Sequence, residues 1–260
     1  MDLGLRGRAA FVAASSKGMG LAIARTFAAE GADVAMCARS EAELSAAAES
    51  VREHGTRVVA FPADLSDAAA VRDAVARAAS ELGRLDMLVV NAGGPPPGVF
   101  EGLDDEAWQK AHDLTLMSAV RLVRESLPHL RASDAASILF VSSWSIRQPI
   151  TGLTLSNAVR MSVAGLAKSL TFELAPHVRV NTLVPGSIAT DRSIQLAQSR
   201  AREGQTAEDV MRDNAREIPL QRYGTPEEFA RVAVFVSSPA AAYVTGATIP
   251  VDGGIIRGTL

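Results

Sequence analysis

Short apolar runs alternate along the chain with longer stretches whose apolar positions recur at helical spacing, nearly from one end to the other. The series opens with "RAAFVAAS" (8–15), "LAIARTFAAEG" (21–31), "ADVAMCA" (32–38) and "EAELSAAAESVREHG" (41–55). Further strand candidates are "RVVAFPA" (57–63), "LDMLVVNAG" (85–93), "ASILFVSS" (136–143), "VRVNTLVPG" (178–186) and "GATIPVDGG" (246–254). The middle runs are continuously apolar, as strands covered on both faces must be. Seven parallel strands joined by right-handed helical crossovers predict an α/β, doubly wound sheet with helices on both faces. Ligands of such a sheet bind beyond the carboxyl ends of the strands.

No Pro/Gly/Ser-rich linker and no shift in charge divides the 260 residues, so residues 1–260 are read as one domain. The alternation has one long interruption, a polar insert over 187–223 that suggests one or two short helices. Its position after a strand's carboxyl end makes it a candidate substrate lid, with a surface excursion as the alternative.

Composition, 48% apolar and 21% charged, is that of an ordinary globular chain. A net charge of −3 provides no global field for nucleic acid or for an anionic membrane, so neither is expected as a partner. The lone Cys37 reads as a small buried apolar residue. The four scattered histidines offer no metal-ligand spacing, and no metal is expected. No run approaches the length of a membrane span or of a signal-peptide core, which predicts a cytoplasmic protein.

After the first strand, "AASSKGMGLAIA" (13–24) places Gly18 and Gly20 just before a helical pattern. A strand, a tight turn and a helix N-terminus present backbone N–H groups and a positive dipole end to a diphosphate. The second strand ends at Ala38-Arg39-Ser40, without the acid that would hydrogen-bond an adenosine ribose. Lys17, Arg39 and Ser40 suit a 2′-phosphate instead, favouring NADP with NAD as the alternative. Solvated surface charges remain the other reading of Lys17 and Arg39.

These segments, with "ADLS" (63–66), "NAGG" (91–94), "VSS" (141–143), "VRVNTLVPGSIATD" (178–191) and "RYGTPEEFARVAVFVSSPAAAYVTGATIPVDGG" (222–254), resemble the short-chain dehydrogenase/reductase family over nearly the whole chain. The likeness is to its 3-oxoacyl-acyl-carrier-protein-reductase-like members, whose fold is Rossmann-like. The resemblance implies that Ser15, Ser16, Lys17, Gly18, Met19 and Gly20 cradle the diphosphate, with Asp64 and Leu65 beside the adenine. It places Asn91, Ala92 and Gly93 at the end of the fourth strand. Pro185, Gly186, Ile188 and Thr190 would adjoin the nicotinamide. Ala14 departs from the family's usual first glycine.

The family moves a hydride between nicotinamide and a carbonyl or secondary alcohol, using a Ser, a Tyr, a Lys four residues later and an Asn on the preceding long helix. Ser143 fits the Ser. Spacing puts Ser156 in the Tyr slot, Arg160 in the Lys slot, where it would also hold the coenzyme ribose, and Thr115 in the Asn slot. Lys168, with Met161 as its Tyr equivalent, would follow an enoyl-reductase spacing, but leaves the next strand eight residues too close. At i and i+4, Ser156 and Arg160 share a helical face beside Ser143. Arg160 can stabilise an oxyanion yet cannot exchange protons readily near pH 7, and a serine hydroxyl is no equivalent of a phenol. His112 is the nearest titratable side chain to Thr115 by sequence; a packed helical residue is its other reading. Compositional preference, 23 Arg against 3 Lys, also explains an arginine in a lysine slot, but not Ser156.

The expected function is an NADP-dependent oxidoreductase with a Ser143/Ser156/Arg160 site acting on a small carbonyl or alcohol. The alternatives are a dinucleotide-binding sensor or partner subunit without redox catalysis, and the reduction of an activated alkene. Trp144, next to Ser143, is a candidate border of the substrate. The resemblance further implies a homotetramer in which long helices around 104–131 and 152–175 pair across one interface and the last strand lies near another.

Overall fold

A computed structural model describes residues 1–259. Seven strands form one parallel sheet: β1 (Ala9–Val12), β2 (Asp33–Ala38), β3 (Val58–Pro62), β4 (Met87–Val90), β5 (Ser137–Val141), β6 (Arg179–Pro185) and β7 (Thr248–Val251), in the order β3-β2-β1-β4-β5-β6-β7. Every predicted strand run contains one of them. The order reverses between β1 and β4, so the crevice of the doubly wound sheet opens at the carboxyl ends of these two strands.

Strand side chains alternate between two apolar layers. Ala9 and Phe11 of β1 join a cluster with α3 (Ala68–Leu82), α5 (Ser118–Leu130) and α6 (Thr154–Leu174). Ala10 and Val12 point the other way, toward α1 (Gly18–Ala29), α2 (Glu41–Arg52) and α9 (Pro226–Ser237). All four β1 residues are fully buried, which explains why the central strands carry apolar side chains on both faces. β7 is an edge strand paired only with β6, and it tolerates Pro250 for that reason.

The single long helix expected around 104–131 is divided. α4 (Asp105–His112) leads into a π-helical turn over Asp113–Met117 before α5 begins. The 187–223 insert folds into α7 (Asp191–Arg200) and α8 (Ala207–Ala215), whose N-termini are capped by Thr190 and Thr206 in reciprocal capping boxes. Among the described residues no helix is long and apolar enough to cross a membrane.

Candidate active site

The carboxyl ends of β1, β4, β5 and β6, together with α7, border one cleft of about 1450 Å³. Its floor begins at the turn between β1 and α1. Ala14 holds a left-handed backbone angle of φ +50°, and Gly18 one of +57°. A Cβ at Gly20 would lie 2.3 Å from the Ala14 carbonyl oxygen, so only glycine lets α1 start this close to β1. Asn91, at the end of β4, ties the turn down by donating from Nδ2 to the carbonyls of Ala13 and Ala14, both at 3.2 Å.

No side chain caps the N-terminus of α1, whereas Ser40, Asp67 and Asp104 cap α2, α3 and α4. Free first-turn N–H groups beside an obligatory glycine fit the diphosphate of a dinucleotide. At the adenosine end Lys17, Arg39, Ser40, Asp64 and Leu65 all line the cleft. Lys17 Nζ stands 3.6 Å from Glu43. The Ser40 hydroxyl accepts from the Glu43 N–H and so keeps its own hydrogen for an incoming phosphate. Hydrogen bonds from the backbone and hydroxyl of Ser66, and then the charge of Arg39, hold the Asp64 carboxyl below its ordinary value. Ser16, Met19, Ala92, Gly93, Pro185, Gly186, Ile188 and Thr190 border the same cleft.

Two expected residues lie off it. Ser15 is fully buried, and its hydroxyl donates to the Val12 carbonyl at 2.8 Å, closing the end of β1 instead of facing a ligand. Thr115 sits inside the π-helical turn, buried, with its hydroxyl unpartnered among the described residues; the cleft receives Leu114 in its place. Widening a helix to π spacing rotates successive side chains, which displaces the expected position by one residue. His112 ends α4 away from the cleft, with Nδ1 3.8 Å from Asp113 and close to half its side chain exposed, so it is not packed in the core. Cys37, in β2, points into one of the two apolar layers, where burial pushes its thiol up to about 12, as befits a packing residue.

At the other end of the cleft Ser143, Ser156 and Arg160 come together. Ser143 caps a short helical turn at Trp144–Ile146 by accepting from the Ser145 N–H at 3.1 Å, and Trp144 borders the cleft. Arg160 Nε donates to Ser156 Oγ at 3.2 Å, and Nη1 donates to the Ser142 carbonyl at 3.1 Å. The guanidinium is therefore clamped between α6 and the end of β5. Burial, and secondarily the charge of Arg192, lower its pKa to about 10, which leaves it cationic at neutral pH.

Lys168 does not compete for this place: its Nζ donates to the Gly246 carbonyl at 3.1 Å, outside the cleft, and Met161 is 52% exposed. Sequence reading did not anticipate Arg192 or Tyr223, both of which line the cleft. The Tyr223 hydroxyl accepts from Asn214 Nδ2 at 3.4 Å. Arg192 falls just outside the quoted segments, and the one that opens at Arg222 gives Tyr223 no role in the site; the 187–223 insert carries both inward.

Comparison with known proteins assigns the family. Residues 13–256 match the family model described as Enoyl-(Acyl carrier protein) reductase. The short-chain reductase protein NovJ of Streptomyces niveus is 35% identical over 94% of this chain and 92% of its own. L-sorbose reductase from Gluconobacter frateurii, solved with NADPH and L-sorbose, superposes with a TM-score of 0.95 at 34% identity, covering 99% of this chain and 100% of that one. The NADPH-bound short chain oxidoreductase of Pseudomonas aeruginosa PAO1, described as containing an atypical catalytic center, superposes at 0.88 with 34% identity over 97% of this chain and 98% of its own. Sequence, sheet order and cleft converge: this chain belongs to the short-chain dehydrogenase/reductase family of oxidoreductases.

Proposed function

We propose that the protein is an NADP-dependent oxidoreductase that interconverts a carbonyl and a secondary alcohol, with Ser143, Ser156 and Arg160 as its catalytic residues. The observation that carries this reading is the hydrogen bond from Arg160 Nε to Ser156 Oγ within the cleft, at the end of the sheet where the resemblance puts the reacting atoms. NADPH in the structures of similar reductases supports the coenzyme, as does the Lys17, Arg39 and Ser40 group at the adenosine end.

When bound, the nicotinamide supplies or accepts the hydride. Negative charge then develops on the substrate oxygen, and the Arg160 cation with the Ser143 and Ser156 hydroxyls stabilises it. Ser156 accepts from Arg160 and keeps its own hydrogen to donate. Because arginine does not give up a proton at neutral pH, the proton delivered by Ser156 is replenished from water. Thr115 and Ser15 have no part in this reading. The 187–223 segment, as α7 and α8, acts as the substrate lid that closes over the cleft.

The assembly we infer is a homotetramer. Met161 and Phe172, three turns apart on one face of α6, are 52% and 75% exposed, which suits burial against a second copy. A cytoplasmic location goes with a reaction that draws on a soluble coenzyme.

Turnover of ketone and alcohol panels with NADPH or NADP tests the assignment. The Ser156→Ala, Arg160→Ala double variant is expected to lose about 10²- to 10⁴-fold in kcat/KM. Wild-type turnover no higher than that of the double variant overturns it, and tight NADPH binding without transfer of its hydride would mark a sensor instead.

A further inference from the structure

Two guanidiniums meet above Gly94. A methyl group at this glycine would stand 3.5 Å from Arg192 Nη2 and 3.8 Å from Arg160 Nη2. Arg160 commits Nε to Ser156 and Nη1 to the Ser142 carbonyl, which leaves Nη2 without a hydrogen-bond partner among the described residues. Arg192, in the first turn of α7, donates Nη2 to the Pro95 carbonyl at 2.6 Å, and its other nitrogens likewise have no partner there. Among the described residues no carboxylate pairs with either side chain, although Asp191 and Glu217 also border the cleft. Burial depresses both guanidiniums, and the charge of Arg192 depresses Arg160 further. Two partly buried like charges that converge with free donors at Gly94, with no protein carboxylate on either, suit an anionic group.

We propose that Arg160 and Arg192 form a carboxylate-binding subsite and that the substrate is a 2- or 3-oxo acid, or the corresponding hydroxy acid. The inference rests on the oxidoreductase reading above. The phosphate-type cations Lys17 and Arg39 lie at the opposite, adenosine end, whereas this pair adjoins Ser143 and Ser156. Arg160 contributes to both functions: its Nε edge holds Ser156, where the carbonyl oxygen is received, and Nη2 faces the carboxylate. The width of one guanidinium separates these sites, so carbonyl and carboxylate belong to adjacent or next-but-one carbons. In the reducing direction a hydride from the reduced coenzyme joins the carbonyl carbon, a proton from water by way of Ser156 joins its oxygen, and the oxidised coenzyme leaves with the hydroxy acid. Arg192 rides on the lid helix, so binding the carboxylate would also draw α7 toward α6.

Titration calorimetry of the NADPH complex with oxamate, its neutral methyl ester and inorganic phosphate tests the proposal. Oxamate is expected to bind at least about tenfold more tightly than the ester, a preference of about 1.4 kcal/mol. Arg192→Gln should abolish that preference while changing NADPH affinity by less than threefold, and Arg192→Lys should retain part of it. Equal binding of acid and ester overturns the proposal. So does an Arg192→Gln protein that loses NADPH or phosphate affinity and keeps its oxamate preference, because the cation would then serve a coenzyme phosphate. Failure of the wild-type protein to bind NADPH at all would instead remove the coenzyme reading beneath it.

Discussion

Ala14 occupies a backbone position (φ +50°) at which an L-residue's Cβ crowds its own peptide, at a cost of roughly 1–2 kcal/mol relative to the right-handed region. The residue is nevertheless fixed there, because its carbonyl receives Asn91 and abuts Gly20. Ala14→Gly should therefore stabilise the fold. Relief of crowding exceeds the roughly 0.4–1 kcal/mol of extra freedom that glycine gives the unfolded chain, for a net gain of about 0.5–1 kcal/mol. Urea unfolding would register it as a higher midpoint at constant slope, and an unchanged or lower midpoint would contradict the strain argument. The same scale decides the catalytic exchange. A planar fork in a lysine slot reaches Ser156, the end of β5 and the space above Gly94 at once, which a single ammonium cannot do.

Between elements, Asp86 fastens the amino end of the sheet. Its carboxylate is fully buried just before β4 and accepts from the Ala9 N–H of β1 at 2.8 Å, from Arg84 at 2.6 and 2.7 Å, and from Ser133 at 2.6 Å. Burial by itself raises its pKa, but the bonds from Arg84, Ser133 and Ala9 outweigh it and the carboxyl ends below its ordinary value. A depressed carboxyl stabilises the fold fully above its unfolded value of about 3.9, and that contribution is lost as pH falls through the folded value. Asp86→Ala leaves the buried N–H of Ala9 and the half-exposed guanidinium of Arg84 without their acceptor and should cost about 1–3 kcal/mol at pH 7. Asp86→Asn should also flatten the stability decline below about pH 4. Denaturation followed across pH checks both, and an acid profile identical to that of the native chain would refute the second.

For the whole molecule, the near-neutral net charge conceals a cleft that gathers five cations, Lys17, Arg39, Arg160, Arg192 and Arg200, with four carboxylates, Glu43, Asp64, Asp191 and Glu217. A charge total cannot report such clustering, because attraction within reach of a ligand depends on separation and screening rather than on the sum. Association belongs to this scale too. Sedimentation at micromolar concentration should give about four times the 27.2 kDa protomer mass, and Phe172→Asp should shift it toward smaller species by placing a charge in the inferred interface. Monomer alone in the wild-type protein would refute the tetramer.

Strand identity needed nothing beyond the chain itself, because period and apolar content are local and parallel strands buried on both faces must be continuously apolar. The glycine turn, the missing acid after β2 and the i, i+4 pairing of Ser156 with Arg160 were legible for the same reason: each lies within a few consecutive residues. Folding settled what depended on distant partners. It set the sheet order, put a π-helical turn where one continuous helix was read, and thereby turned Thr115 out of the cleft and Leu114 into it. It also brought Arg192 across from α7 to the arginine of α6, and Tyr223 from the far end of the insert. No periodicity along a chain encodes such meetings; they arise when burial of two apolar layers closes the loops between residues far apart in sequence.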